Sequence, residues 1–190
     1  MSLFPSALEA AHLIDRLARL MRMGEHSQGL NPAQWEALRY LGRANRFSRT
    51  PAALADYLAS TRGTISRTLQ ALEDKGYVTR TPSPRDGRGV ELALTRAGEE
   101  LLARDPLLAL ARDIEQAKGA DELLGRLRMT LKVALARNEG RAFGACFSCR
   151  HFREAVRPGS RTPHHCALLD EPLSDADSEA ICVEQEPAAA

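Results

Sequence analysis

The feature that most constrains the fold is a change of hydrophobic period near the middle of the chain. Up to about residue 76, apolar residues recur every three to four positions, which is typical of amphipathic helices. Residues 77–81 and 90–94 instead have the alternating pattern of strands. Between them, residues 82–89 are rich in Pro, Gly and charge. The sequence therefore predicts a set of helices followed by a β-hairpin with a charged tip.

N-cap residues in the sequence mark where several of the predicted helices begin. Residues 6–23 form an amphipathic helix, and leucine-rich helical stretches follow the hairpin at 96–117 and 121–138. The helices between begin at polar N-caps, two of which are followed by Pro. These N-caps are Asn31, Thr50 and Ser60 or Thr61, and Thr95 caps the helix after the hairpin. The predicted fold is therefore mainly α with a small β-hairpin.

Composition agrees with a helical protein and separates two regions. Aromatic residues make up 5% of the 190 residues, so cores of leucine and alanine are expected, which favours helices over sheets. Residues 144–190 carry four arginines against eight acids, so the part before them is basic. We predict two domains, residues 1–140 and residues 141–190. No targeting segment or membrane-length apolar run is visible, so a soluble, cytoplasmic protein with no membrane partner is expected.

Two short helices followed by a basic hairpin are typical of a winged helix-turn-helix, which binds DNA. In the second helix Ile65, Leu69 and Leu72 share one face, so the polar opposite face is expected to meet double-stranded DNA. Arginine and glutamine side chains can contact base edges there, hydroxyls can contact phosphates, and arginines at the hairpin tip suit a minor groove. The predicted DNA-contacting residues are Thr61, Arg62, Thr64, Ser66, Arg67, Gln70, Arg80, Arg85 and Arg88.

Three segments resemble the multiple-antibiotic-resistance regulator (MarR) family. They are LNPAQWEALRYL, ALADYLASTRGTISRTLQALEDKGYVTR and DGRGVELALTRAG, and the resemblance covers about residues 8–138. It implies a homodimer held by the N- and C-terminal helices, whose two winged lobes bind a palindromic operator, usually as a repressor. It also implies that Asp86 braces the wing while Arg88 enters the minor groove. Gly87 stands where the family often has arginine, so weaker binding by the wing is expected.

All four cysteines fall in the last quarter of the chain, with the spacing C-x2-C-x16-C-x15-C. They are Cys146, Cys149, Cys166 and Cys182. In a reducing compartment, clustered cysteines are expected to be metal ligands and not disulfides. One close pair plus two separate cysteines suits a 4Fe-4S cluster, whose irons each need a ligand. The spacing is similar to that of high-potential iron–sulfur proteins and of the small cluster subunits of glycyl-radical enzymes. Zinc is the alternative, with His164 or His165 able to replace one thiolate.

Together these features favour a DNA-binding regulator whose cysteine centre senses redox state, oxidants or iron supply. The expected coupling is a change in how the tail packs on the dimerisation helices. One alternative is a MarR-type repressor that responds to a small-molecule effector and has a structural zinc tail. Another is a cluster-bearing electron-transfer or enzyme component. The sequence shows no set of acid–base groups typical of an active site, so we expect a protein that is not an enzyme.

Overall fold

The structure is a computed structural model that describes residues 4–25, 29–83, 89–138 and 140–188. It is mainly helical and contains a small antiparallel hairpin, which confirms the predicted fold class. In chain order the elements are α1 (Pro5–Glu25), α2 (Pro32–Arg43), α3 (Pro51–Tyr57), α4 (Arg62–Asp74), β1 (Val78–Pro82), β2 (Val90–Leu94), α5 (Arg96–Leu102), α6 (Leu107–Ala117), α7 (Ala120–Arg137), β3 (Phe152–Arg153), β4 (His164–Cys166), β5 (Glu171–Leu173) and α8 (Asp175–Glu179).

The helix starts follow the predicted capping chemistry. Asn31 accepts a hydrogen bond from the backbone N–H of Gln34, whose side chain accepts one from the Asn31 N–H. This completes the capping box of α2. Threonine hydroxyls cap α3, α4 and α5 in the same way, each accepting from the N–H three residues later, and these residues are Thr50, Thr61 and Thr95.

Helix α2 lies at the centre of the core of the winged lobe, which we define as α2 to α5 with β1 and β2. Its side chains Trp35, Leu38 and Leu41 are fully buried. They pack with Leu54 from α3 and with side chains from α4, β1 and β2, namely Ile65, Leu69, Leu72, Val78 and Leu92. Full burial of one such side chain stabilises the fold by about 1.5–3 kcal/mol. The core therefore fixes α4 and the hairpin relative to α2.

The hairpin pairs Val78 with Leu94 and continues to Pro82 opposite Val90. Helix α5 follows directly and packs closely on this strand pair. A Cβ atom at Gly98 would collide with the Tyr77 carbonyl oxygen, so glycine permits the close approach.

The predicted single helix over 96–117 is wrong, because two helices occupy this stretch. Helix α5 ends at Leu102 and α6 begins at Leu107. Pro106 has no N–H for a continuing helix and disfavours helical geometry at Asp105. The carboxylate of Asp105, which lies between the two helices, accepts a hydrogen bond from the Leu107 N–H and forms an ion pair with Arg39 of α2.

Helices α1, α6 and α7 leave apolar faces uncovered within the chain. No residue of α6 or α7 is buried, and Leu131 is 55% exposed. The exposed apolar residues of these helices include Leu8, Leu13, Ile14, Leu17, Leu20, Leu108, Leu123, Leu124, Leu127 and Val133. None of the helices in the described ranges is long and apolar enough to span a bilayer.

The residues after α7 fold back onto the lobe. Strands β3, β4 and β5 form a small antiparallel sheet. Ile181, beyond α8, forms a parallel bridge with Ala44 at the end of α2, and Phe143 and Ile181 are buried in the same core as Trp35. Sequence analysis placed this tail on the dimerisation helices, and its residues Ala145 and Phe147 do line a pocket together with Leu131 and Leu135 of α7. In the structure its backbone bonds run to the loop between α2 and α3.

Candidate functional site

Helix α4 presents a polar face to solvent. Ile65, Leu69 and Leu72 are buried together with Thr68, and the opposite side of the helix is exposed. Six of the predicted DNA-contacting residues lie on this exposed side, and they are Thr61, Arg62, Thr64, Ser66, Arg67 and Gln70. The hydrophobic period thus placed the face correctly, while contact of these residues with DNA stays a prediction.

Several polar groups near this face already have partners within the chain. The Thr61 and Thr64 hydroxyls lie 2.9 Å apart, and Gln70 donates to Asp74 at 2.9 Å. Arg62 and Arg67 are exposed and make no hydrogen bond or ion pair with the described part of the chain. These two guanidinium groups are therefore ready to bind an external anion or base edge.

The hairpin contributes less to the described surface. Arg80 is half-buried, with its Nε 3.2 Å from a Glu73 carboxylate oxygen and a terminal nitrogen 3.4 Å from the Ser66 carbonyl oxygen. It therefore braces β1 against α4 in this state. Arg85, Asp86 and Arg88 lie outside the described residues, so the predictions for the wing tip stay untested.

The four cysteines come together at one small cavity. Cys146 opens a short 3-10 helix that Cys149 follows, Cys166 ends β4, and Cys182 lies beyond α8. None of the four forms a disulfide. The remaining lining residues are His151, Phe152, Leu168, Leu173 and Glu184. Residues far apart in the chain thus bring four thiols and several apolar side chains to one small space.

Backbone pairing explains how separate loops bring the thiols together. The Cys182 N–H donates to the Gly144 carbonyl at 3.0 Å, and the Phe152–Cys166 pair joins β3 to β4. A Cβ at Gly144 would lie 2.7 Å from the end of the Gln185 side chain, which would have to shift to admit it. The cysteine segment is therefore a folded unit, although its sequence shows no regular hydrophobic period.

A hydrogen bond between Cys146 and Cys182 shifts the pKa values of the two thiols in opposite directions. It lowers the pKa of Cys182 to about 6 against the opposing effect of burial, with smaller lowering effects from Asn45 and Ser48. The same bond, together with burial, raises the pKa of Cys146. One thiolate is therefore favoured in this pair near neutral pH, and a thiolate is the form that binds metals.

Two groups beside the thiols come from the loop between α2 and α3. The Asn45 side-chain amide donates to the Cys146 sulfur at 3.4 Å, and the Ser48 hydroxyl accepts from the Val183 N–H at 2.9 Å. Sequence analysis missed both residues. They lie about a hundred positions before the cysteines and stand in a pattern that indicates only the end of a helix.

The histidines are arranged differently from the prediction. His164 lies 3.0 Å from Asp175 and His165 lies 3.1 Å from Asp170, and neither lines the cysteine cavity. His151, which was not among the predicted ligands, does line it. Within the described ranges, no three Cys, His, Asp or Glu side chains are placed to hold a single metal ion.

Comparison with known proteins identifies the winged lobe. Residues 28–89 match the MarR family. The winged helix of this chain is similar to that family. An uncharacterised HTH-type transcriptional regulator of Mycobacterium bovis is 36% identical over 87 residues, which are 46% of this chain and 59% of that protein. The chain thus spans little more than half the length of this curated relative.

Solved structures of MarR proteins have the same fold. A mutant MarR from E. coli superposes with a TM-score of 0.53 at 25% identity, covering 70% of this chain and 99% of that one. A MarR regulator from Methanosarcina mazei Go1 gives 0.55 at 24%, covering 67% and 96%. A mutant E. coli MarR complexed with operator DNA gives 0.50 at 27%, covering 70% and 99%.

The match to the MarR family covers only part of the chain. Its relatives are described as transcriptional regulators, which agrees with the expectation of a regulator and not an enzyme. The matched residues 28–89 end well before the cysteine segment. The cysteine cavity thus lies outside the matched residues, and its chemistry has to be argued from its own residues.

Proposed function

We propose that the protein is a MarR-type transcriptional regulator that binds operator DNA through α4. The observation that carries this proposal is the exposed α4 face with two unengaged guanidinium groups, Arg62 and Arg67. Support comes from the similarity of the lobe to an E. coli MarR that was solved with operator DNA.

The roles of the residues follow from their positions on α4. Thr61 and Thr64 lie at the helix N-terminus, where hydroxyls, backbone N–H groups and the helix dipole favour phosphate. Arg67, one turn further, can donate two hydrogen bonds to guanine, and Gln70 lies on the same exposed side. We assign Arg85 and Arg88 to the minor groove, with Asp86 bracing them, as the family resemblance implies.

A homodimer is part of this proposal. The apolar faces of α1, α6 and α7 are too extensive to remain in water, and leucines there are about half exposed. A second copy related by a two-fold axis would cover them and place two α4 helices for a palindromic operator. Repression is the expected outcome of occupying such a site.

Binding to the upstream region of the protein's own gene tests the DNA contact. Arg67→Ala is expected to weaken specific binding by about 1–3 kcal/mol, since it removes a base contact. Arg96→Ala is the matched control, because Arg96 is an exposed arginine of α5 whose pair is Glu100. Equal affinities for the two variants in a fluorescence titration at fixed salt would remove α4 as the contact surface.

We further propose that the four cysteines hold a 4Fe-4S cluster that makes the regulator responsive to oxidants or iron supply. The donor set fits, because four thiols and apolar side chains line one cavity. A single zinc ion would need sulfurs about 2.3 Å from one point. The cysteine spacing, with one close pair and two separate cysteines, instead suits a larger centre with one ligand per iron. When bound, such a cluster gains or loses an electron at a potential set by burial and by hydrogen bonds to sulfur.

Metal analysis of anaerobically purified protein tests this assignment. About four irons per chain and broad visible absorbance are expected. Cys166→Ser should lower the iron content, whereas His165→Ala should leave it unchanged because His165 binds Asp170 outside the cavity. Zinc in place of iron would support the alternative, a repressor with a structural zinc tail and a small-molecule effector. Iron whose removal leaves operator affinity unchanged would make the centre structural.

A further inference from the structure

The corner between α2 and α3, residues 44–50, lies between the cysteine cavity and the helix-turn-helix. On the cavity side, the Asn45 N–H donates to the Ile181 carbonyl at 2.9 Å, and the Ile181 N–H donates to the Arg43 carbonyl at 2.9 Å. The side chains of Asn45 and Ser48 reach the cysteine segment at Cys146 and Val183. Backbone and side-chain hydrogen bonds thus attach the corner to the two chain segments that carry Cys146 and Cys182.

The other side of the corner is bonded to the DNA-binding elements. The Arg49 carbonyl accepts from the Leu92 N–H of β2 at 2.8 Å, and the Thr50 hydroxyl caps α3 by accepting from Ala53. The Tyr40 hydroxyl donates to the Ser48 carbonyl at 2.6 Å. A displacement of the corner therefore moves the start of α3 and the hairpin together.

Burial makes the two polar side chains sensitive to the sulfur atoms. Asn45 is 2% exposed and Ser48 is fully buried, so water cannot replace a lost partner. The Asn45 amide accepts from the Ser48 N–H at 3.0 Å through Oδ1 and donates to Cys146 through Nδ2. An N–H donor binds an anionic acceptor about twice as strongly as a neutral one. The strength of this bond therefore depends on whether Cys146 carries a thiol, a metal-bound thiolate or an oxidised sulfur.

We propose that Asn45 and Ser48 are the positioning residues through which the state of the four-cysteine centre reaches the helix-turn-helix. The route runs from the Cys146 and Cys182 sulfurs to the corner and then to α3 and β2, and not through the dimerisation helices. This inference rests on the proposed function of the centre, and it names the path of its regulation.

The test compares operator affinity with and without the metal for three variants. Asn45→Asp keeps the acceptor for the Ser48 N–H but removes the donor to Cys146, and Ser48→Ala removes the hydroxyl beside Cys182. Arg46→Ala is the matched control, because Arg46 bonds the Pro172 carbonyl from the same corner without being one of the residues beside the thiols. Iron content and circular dichroism of each variant establish that the fold and the centre are intact.

We expect the wild-type protein to change operator affinity at least tenfold on metal loss, and Arg46→Ala to do the same. Asn45→Asp and Ser48→Ala should retain iron and the operator affinity of the metal-free wild type, but change less than threefold on metal loss. Loss of the Asn45 donor should also lower the reduction potential, because hydrogen bonds to sulfur raise it. That measurement does not depend on DNA.

Three results would overturn the inference. Wild-type-like responses in both corner variants, or an equal loss of response in Arg46→Ala, would show that the corner side chains do not carry the signal. Loss of iron from both corner variants would show that they only build the site. If the wild-type protein holds no metal or shows no response, the proposed sensing function itself fails, and the inference fails with it.

Discussion

Replacing Arg39 with Met should lower the free energy of unfolding by about 3–5 kcal/mol, because it leaves two buried carboxylates unpaired. The Arg39 guanidinium donates to both Asp105 oxygens at 2.7 and 2.6 Å and to Glu25 at 2.6 Å. The Glu25 side chain is 1% exposed and that of Asp105 is 7% exposed. Burial opposes the charge of Arg39, but the bonds to Asp105 and Glu25 outweigh it and raise its pKa. The cluster joins α1, α2 and the α5–α6 junction.

Urea unfolding followed by circular dichroism measures this loss, at one protein concentration because a dimer's stability depends on it. The loss corresponds to a fall of about 10 °C in Tm for a chain of this size.

The matched control is Arg96→Met. Arg96 pairs with Glu100 one turn along α5, at the surface, with side chains 92% and 58% exposed. Its substitution should change stability by less than about 0.5 kcal/mol. If Arg39→Met costs no more than Arg96→Met, the argument from buried unpaired charge is refuted.

Two further predictions concern the apolar surfaces. Leu17→Glu, on the exposed face of α1, should give monomers in light scattering, whereas Val156→Glu in the cysteine segment should leave dimers; a dimeric Leu17→Glu protein would place the interface elsewhere. Phe143→Ala should cost about 3–5 kcal/mol in urea unfolding, because its buried ring packs edge-on against Tyr57 at 5.1 Å, and a cost below 1 kcal/mol would show that the tail is not part of the core.

Local chemistry made much of the winged lobe predictable. The caps at Asn31 and Thr61 depend on residues three positions apart, and the buried face of α4 depends on a spacing of three and four. Each of these signals is formed by residues that are close together in the sequence of a single helix. The break at Pro106 was also visible in the sequence, but the leucines on both sides of it gave one continuous helical period that outweighed it.

The cysteine site could be predicted only in part. Residue type and spacing identified the four thiols, because clustered cysteines are typical metal ligands wherever the chain places them. The contribution of Asn45 could not be found in this way, since it depends on a contact between residues 101 positions apart. His151, two residues after Cys149, was not among the predicted ligands, because those were assigned from the cysteine spacing.

The return of the tail to α2 also has a consequence for how the protein is made. The Val183–Ser48 hydrogen bond joins residues 135 positions apart, and Ile181 and Phe143 complete a core whose other members are all synthesised earlier. Contacts of such long sequence separation form late in folding, because the loop has to close before they are made. A nascent lobe that has left the ribosome without its cysteine segment exposes the site where these two side chains belong. Newly made chains therefore complete the core of the winged lobe and the cysteine segment in the same final step of folding.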